Sequence, residues 1–155
     1  MDINKLTSQF QQDLASAQSL AVRSDHSVIE GLHVLKIMTD DTTTSVSNIL
    51  TQTKVDLNQL SNGLTQALGA LGTIDKPNGE VNISQNLLRL LNQTDKLAGE
   101  KGDAYLSTEL FLLALLESTD KTAQLLKDCG ANKTQITQAI EKLRGGQSVT
   151  EQNTE

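Results

Sequence analysis

The sequence predicts an all-α single globular domain of about eight helices, formed by two pseudo-repeats of four helices. Apolar residues recur at three- and four-residue steps through most of the chain. The second half also repeats the apolar order of the first at an offset of 77 residues, with one slip. Finally, 155 residues suffice for one sizeable core, whereas two separate domains of about seventy residues would each be marginal. With only 2% aromatic residues, that core must be built from Leu, Ile, Val and Ala.

The densest stretch is Lys96 to Glu117, where a helical end at Leu97-Ala98 gives way to a turn around Gly99 and Gly102. A second helix follows from about Ser107. Leu110, Phe111, Leu113, Ala114 and Leu116 cover so much of its circumference that it reads as the central core helix. The offset places Leu20-Ala21 on Leu97-Ala98, Ile29 on Leu106, His33 on Leu110 and Met38 on Leu115. Phe10 falls on Leu87 and Leu14 on Leu91. After the slip, Ile49-Leu50 meet Leu125-Leu126, Leu60 meets Ile136 and Leu64 meets Ile140.

The first helix is expected over about Asn4 to Ala21, with Leu6, Phe10, Leu14, Ala17 and Ala21 on one face. The second covers roughly Ile29 to Thr39, and Gly31 within it allows a close helix crossing. A short helix holds Val46, Ile49 and Leu50. Asp56, with Gln59 three residues on, caps a fourth through Leu60, Leu64 and Leu68. Gly69 to Asn82 carries the only proline, Pro77, and reads as the connector between repeats; Val81 and Ile83 are a short extended piece. Ser84 caps the first helix of the second repeat, in which Leu87, Leu90, Leu91, Leu97 and Ala98 form a stripe and Leu88 stands off it as an exposed leucine. A short helix from about Lys121 to Asp128 ends at Gly130, and Asn132 opens a last helix that Arg144-Gly145-Gly146 stops. Residues 147–155 are polar and expected to be disordered.

The net charge is −6, without a Lys/Arg cluster, which argues against a nucleic-acid surface. No apolar run is long enough for a membrane span, and the first residues lack a signal-peptide pattern. The lone Cys129 excludes an internal disulfide, so a soluble, cytoplasmic protein is expected. No P-loop is present, because Gly63, Gly69 and Gly72 have no Lys-Ser/Thr after them. His26 and His33, with Asp25 and Glu30 nearby, are candidate metal ligands; the plainer expectation is a partly buried His33 and a locally bonded His26. Cys129 beside Asp128 at a helix end reads as a small buried hydrophobe, since both neighbours disfavour a thiolate. Thr7 reads as a first-turn surface hydroxyl, Asp103 as a loop cap and Glu109 as a first-turn partner of a helix terminus. No catalytic residue and no metal site is expected. Binding remains, in a leucine-lined groove of the second repeat around Leu87, Leu88, Leu90, Leu91, Leu97 and Leu110.

Four blocks carry a resemblance: LTSQFQQDLASAQSLA from Leu6, IEGLHVLKIM from Ile29, LLRLLNQTDKLAGEKGDAYLSTELFLLALL from Leu87, and GANKTQITQAIEKLRGG ending at Gly146. In this order and spacing the chain resembles the N-terminal domain of the Clp-type AAA+ unfoldases, most closely the ClpB disaggregase branch. The resemblance implies a Clp N-terminal-like domain over 1–146, with repeat one about 4–70, connector 71–83 and repeat two about 84–144. Residues 147–155 would then begin a linker.

It further implies a substrate-binding accessory domain of an ATP-dependent disaggregase. Such a domain engages unfolded or aggregated polypeptide and helps deliver it to a hexameric AAA+ ring. Thr7, Asp103 and Glu109 match the family's substrate-binding positions, and its apolar groove maps to Leu91, Leu97 and Leu110. Expected partners are unfolded polypeptides, the rest of a ClpB-like hexamer and a co-chaperone system acting with the full-length protein. Nucleic acid and membrane are not among them, and the isolated domain is expected to be monomeric. ATP and Mg belong to the AAA+ modules and not to this chain. The alternative is an adaptor-docking N-domain of a Clp protease unfoldase, or a free-standing regulator.

Overall fold

The computed structural model describes residues 2–75 and 80–155. A 3-10 turn (Ile3–Lys5) leads into α1 (Ser8–Arg23), β1 (Val28–Ile29), α2 (Gly31–Asp40), α3 (Ser45–Gln52) and α4 (Leu57–Gly69). The second half comprises β2 (Asn82–Ile83), α5 (Gln85–Lys101), α6 (Thr108–Glu117), α7 (Lys121–Asp128) and α8 (Lys133–Arg144). The domain is all-α, and among the described residues its helices form two sets of four. Pro77 and Gly79 of the expected connector lie outside the described residues.

The duplication extends to the helix termini. Thr7 and Ser84 cap α1 and α5, accepting from the Phe10 and Leu87 amides. Glu30 and Ser107 stand before α2 and α6; after the slip, Thr44 pairs with Asp120 and Asp56 with Asn132. An oxygen at such a position satisfies an amide that the first turn leaves unbonded. The ends correspond as well. Asp25 and Gly102 take left-handed φ values of 58° and 73°. The amides after them, on His26 and Asp103, return to the carbonyls of Ala21 and Ala98 at 2.9 and 2.8 Å. Glycine adopts this conformation without steric cost, and Asp25 adopts it with a Cβ.

The repeats are interlocked. Ile29 of β1 lies opposite Ile83 of β2 in a parallel pair, and an isolated parallel bridge joins Leu6 to Leu106. Ser84 N donates to Ile29 O at 2.9 Å, and Thr7 N donates to Leu106 O at 3.0 Å. These are the same bond in the two repeats, so the lead-in of each repeat is held by the middle of the other. At the far side α3 packs on α8 and α4 on α7.

One core results. The rings of Phe10 and Phe111, from opposite repeats, meet edge to face at 5.2 Å. In α6 every residue from Thr108 to Leu116 is buried, as its unbroken apolar surface predicts. Each fully buried leucine contributes about 1.5–3 kcal/mol. Gly31 permits the expected close crossing, since a Cβ there would stand 3.0 Å from Leu90 Cδ1 and 3.3 Å from Leu115 Cδ2.

Several local expectations are corrected. α2 starts at Gly31 and not Ile29, because the Ile29 backbone is engaged in the parallel pair. Val81 is buried and Ile83 is part of β2, so the extended piece does form a minimal ladder. Leu88 is half-buried instead of exposed. His33 is wholly buried. Residues 147–155, expected to be disordered, pack against the domain, with Val149 only 5% exposed.

Candidate functional site

The parallel bridge between Leu6 and Leu106 brings the N-termini of α1 and α6 side by side, and the three polar residues singled out from sequence gather around them. Thr7 caps α1 and is completely buried, where a surface hydroxyl was expected. Asp103 sits in the loop before α6, and Glu109 in the first turn of α6. Both point at one cation, Arg144 at the end of α8. Its Nε lies 2.6 Å from Glu109 Oε1 and its Nη1 lies 2.9 Å from Asp103 Oδ2. Arg144 Nη2 donates to Ser107 Oγ at 3.1 Å.

The side chains of Asp103, Glu109 and Arg144 are 0%, 5% and 10% exposed, so the guanidinium fork is held in a dry frame. Burial would lower the Arg144 pKa, and the hydrogen bonds and charges of Glu109 and Asp103 more than reverse this, holding it above its ordinary value.

Arg144 entered the sequence reading only as a helix stop. One signal could have found it. On the offset with its slip, Asp103, Glu109 and Arg144 fall on His26, Leu32 and Leu68, so two carboxylates and a guanidinium occupy places that are uncharged in the first repeat. Ion pairs spanning 35 and 41 residues leave no local pattern.

Residues 147–155 complete the arrangement. Val149 N donates to Asp103 Oδ1 at 2.9 Å, and Ala104 N donates to Val149 O at 2.7 Å. Ser8 N, at the start of α1, donates to Gln152 O at 2.8 Å. The Glu155 carboxylate receives Thr108 N at 2.9 Å and Thr108 Oγ1 at 2.8 Å, seating a negative group on the free amide end of α6. Burial, only partly countered by those bonds, pushes the Glu155 carboxyl up to about 7. Nearby on α1, burial raises Asp13 to about 6, against a hydrogen bond from Gln9. A cleft of about 290 Å³ opens beside the cluster, lined by Ser45, Glu109, Leu143, Arg144, Val149 and Glu155.

The expected leucine groove requires correction. Leu91, Leu97 and Leu110 are 1%, 9% and 0% exposed. They face inward because α5 packs its apolar stripe directly on α6, and the cleft of about 370 Å³ between the two helices is lined instead by Asn86, Arg89, Leu90, Gln93 and Ala114. The open leucine at the cluster is Leu143, 56% exposed on α8. An apolar cleft of about 310 Å³ lies elsewhere, lined by Ile3, Leu14, Ile29, Val81 and Ile83 beside α1.

The remaining candidates are accounted for locally. His33 Nδ1 accepts from Glu30 N at 2.8 Å, so its proton is on Nε2, 2.8 Å from His26 Nδ1. Burial first, then the neighbouring His26, pushes His33 down to about 4. Cys129 is buried, and burial followed by Asp56 and Asp128 raises its thiol. Among the described residues no group of three or more His, Cys, Asp or Glu is placed to hold a metal, and no helix is long and apolar enough to cross a membrane.

Comparison with known proteins gives consistent results. The family model described as the Clp repeat (R) N-terminal domain matches residues 5–129. The chaperone protein ClpB of Pseudomonas putida is 43% identical over 155 residues, covering all of this chain and 18% of the relative. ClpB of Vibrio cholerae is 37% identical over 155 residues, again all of this chain and 18% of the relative. The chain thus spans less than a fifth of the length of these curated relatives. Among solved structures, the Hsp104 N-terminal domain of Candida albicans superposes with a TM-score of 0.83 at 20% identity, over 96% of this chain and 97% of that one. The ClpV N-domain in complex with a VipB peptide gives 0.74 at 22% identity, over 96% and 92%.

Proposed function

Because the chain belongs to the Clp N-terminal domain family, we propose that it is the substrate-engaging accessory domain of an ATP-dependent disaggregase. It holds unfolded or aggregated polypeptide and hands it to a hexameric AAA+ ring. The observation that carries this reading is the family match over residues 5–129, joined to ClpB relatives along the whole chain. The ClpV N-domain solved with a VipB peptide supports peptide engagement on the same fold.

The recognition surface is the joined start of α1 and α6. Thr7 and Ser107 fix the two helix ends, Asp103 and Glu109 accept amides of an extended chain, and Arg144 holds both carboxylates in place. Leu143 offers the apolar contact at the lip. Leu91, Leu97 and Leu110 act from beneath, as the packed floor that keeps α5 and α6 in register. Apolar contact is non-directional, which suits a client defined by exposure and not by sequence. Single-site affinity is weak, because binding orders a floppy chain, and display on a hexamer raises it by multivalency.

The test is a fluorescence-anisotropy titration of a permanently unfolded polypeptide, reduced and carboxymethylated α-lactalbumin, against wild type, Glu109→Gln and Leu143→Ser, with a thermal melt of each. Weaker binding by both variants at retained fold supports the surface. Binding unchanged in both, with melts intact, removes it. Docking of a folded adaptor predicts that the unfolded probe is ignored by every form.

A further inference from the structure

Resting on the peptide-binding reading above, we propose that residues 147–155 are a resident ligand of that surface, a strap that an incoming chain must displace. The strap occupies Asp103, one of the two carboxylates proposed to take a client's amides, and the free groups at the starts of α1 and α6 beside it. Val149 N takes Asp103 Oδ1, Gln152 O takes the Ser8 amide, Gln152 Nε2 takes Leu6 O at 3.1 Å, and Glu155 takes both the amide and the hydroxyl of Thr108.

The duplication shows that this return of the chain is part of the architecture. On the repeat offset Val149 corresponds to Thr73, and in the first repeat Thr73 forms an antiparallel bridge with His26, the counterpart of Asp103. Ile74 N likewise donates to Asp25 O at 2.8 Å. Each repeat therefore folds the segment after its fourth helix over the loop before its second. The difference lies in the anchors. The first repeat uses backbone groups of Asp25 and His26. The second also uses side chains of the cluster, Asp103 and Thr108, and adds the Ser8 side chain, whose Oγ lies 2.5 Å from Asn153 Oδ1.

The strap is built to let go. Val149 is its one buried apolar residue, and the rest of 147–155 is polar. A single apolar anchor works against the conformational entropy of ordering the whole segment. Its chemistry also specifies its competitor: an extended polypeptide with a small apolar side chain against the Asp103–Ala104 loop and, further along, a carboxylate for the amide end of α6.

The experiment uses the 155-residue chain and the same unfolded α-lactalbumin probe. Val149→Ser with Glu155→Lys removes both anchors. The dissociation constant is expected to fall roughly tenfold, the factor by which a strap docked nine-tenths of the time lowers apparent affinity. The converse form carries Ser8→Cys with Asn153→Cys. When oxidised it locks the strap and loses binding; a reductant restores it. Cys129 is buried and does not compete. Circular dichroism and a melt are recorded on each form. A release variant that binds no tighter than wild type, or an oxidised pair that binds as well as the reduced one, overturns the strap and leaves the peptide-binding reading standing. If no form binds, reduced pair included, both fall together.

Discussion

Two equivalent regions of the repeats, one at the start of α2 and the other at the start of α6, share their backbone and differ in their chemistry. Both follow a left-handed residue and a reversed amide, both are entered through an extended residue bonded to the other repeat, and both are covered by the chain returning from a fourth helix. The first is closed by the paired rings of His26 and His33, with Leu32 and Leu68 at the places equivalent to Glu109 and Arg144. The second holds Asp103, Glu109 and Arg144 at the places of His26, Leu32 and Leu68, and Leu110 at the place of His33. The first shows that this scaffold closes without an ion pair among the described residues. A buried ion pair seldom stabilises more than an apolar replacement of similar size, which is the ground for proposing that the second cluster serves binding.

Exchanging residues between the two regions tests that difference. The largest effect is expected from Arg144→Leu, which copies Leu68 and strands two buried carboxylates, at a cost of about 3–5 kcal/mol in a urea melt. The triple variant Asp103→His, Glu109→Leu, Arg144→Leu should recover most of that loss and still bind the unfolded probe more weakly than wild type. A triple variant as unstable as Arg144→Leu alone would show that the charges are structural.

Next comes pH. His33 has a folded pKa of about 4, below its ordinary 6.5, so on acidification the unfolded chain takes up the proton first. Its contribution is intact above pH 6.5 and is lost as pH falls from 6.5 to 4, at most about 3 kcal/mol. Asp13 and Glu155, raised to about 6 and 7, act in the opposite sense: the folded state binds their protons first, and stability from them is lost as pH rises through those values. Melts of wild type and His33→Leu from pH 7.5 to 4 isolate the histidine as a difference in slope. Equal slopes would remove it.

Smaller effects follow. Thr7→Ala and Ser84→Ala delete equivalent caps and should each cost about 1 kcal/mol by chemical denaturation. If Thr7→Ala also weakens probe binding and Ser84→Ala does not, the function of the second region extends to α1. Least of all, Lys133→Leu copies Leu57 and removes the exposed 2.6 Å pair with Glu117; it should shift stability by less than about 1 kcal/mol.

Sequence reading recovered the parts of this design that are written locally. The helices announce themselves by apolar spacing, and Asp56, Ser84, Ser107 and Asn132 announce their starts because each cap is bonded within three residues of itself. The polar trio was legible only through family likeness. What was missed depends on distant partners. Nothing near Arg144 points to Asp103 or Glu109, and nothing in Gln147 to Glu155 points to Thr108 or Ser8. The groove was misplaced because the stripe that marks Leu91, Leu97 and Leu110 as apolar is the same whether another helix covers it or solvent does.

By itself, then, the sequence determined the helices, four of their caps and the register of the duplication, since these arise from hydrogen bonds and apolar periods within one or two turns. The tertiary structure alone decided that the repeats exchange their lead-in segments, that Leu143 and not Leu110 stays open, and that one guanidinium gathers two carboxylates beneath a returning strap. Those outcomes turn on which surfaces exclude water from each other, and that is settled only when segments remote in the chain meet.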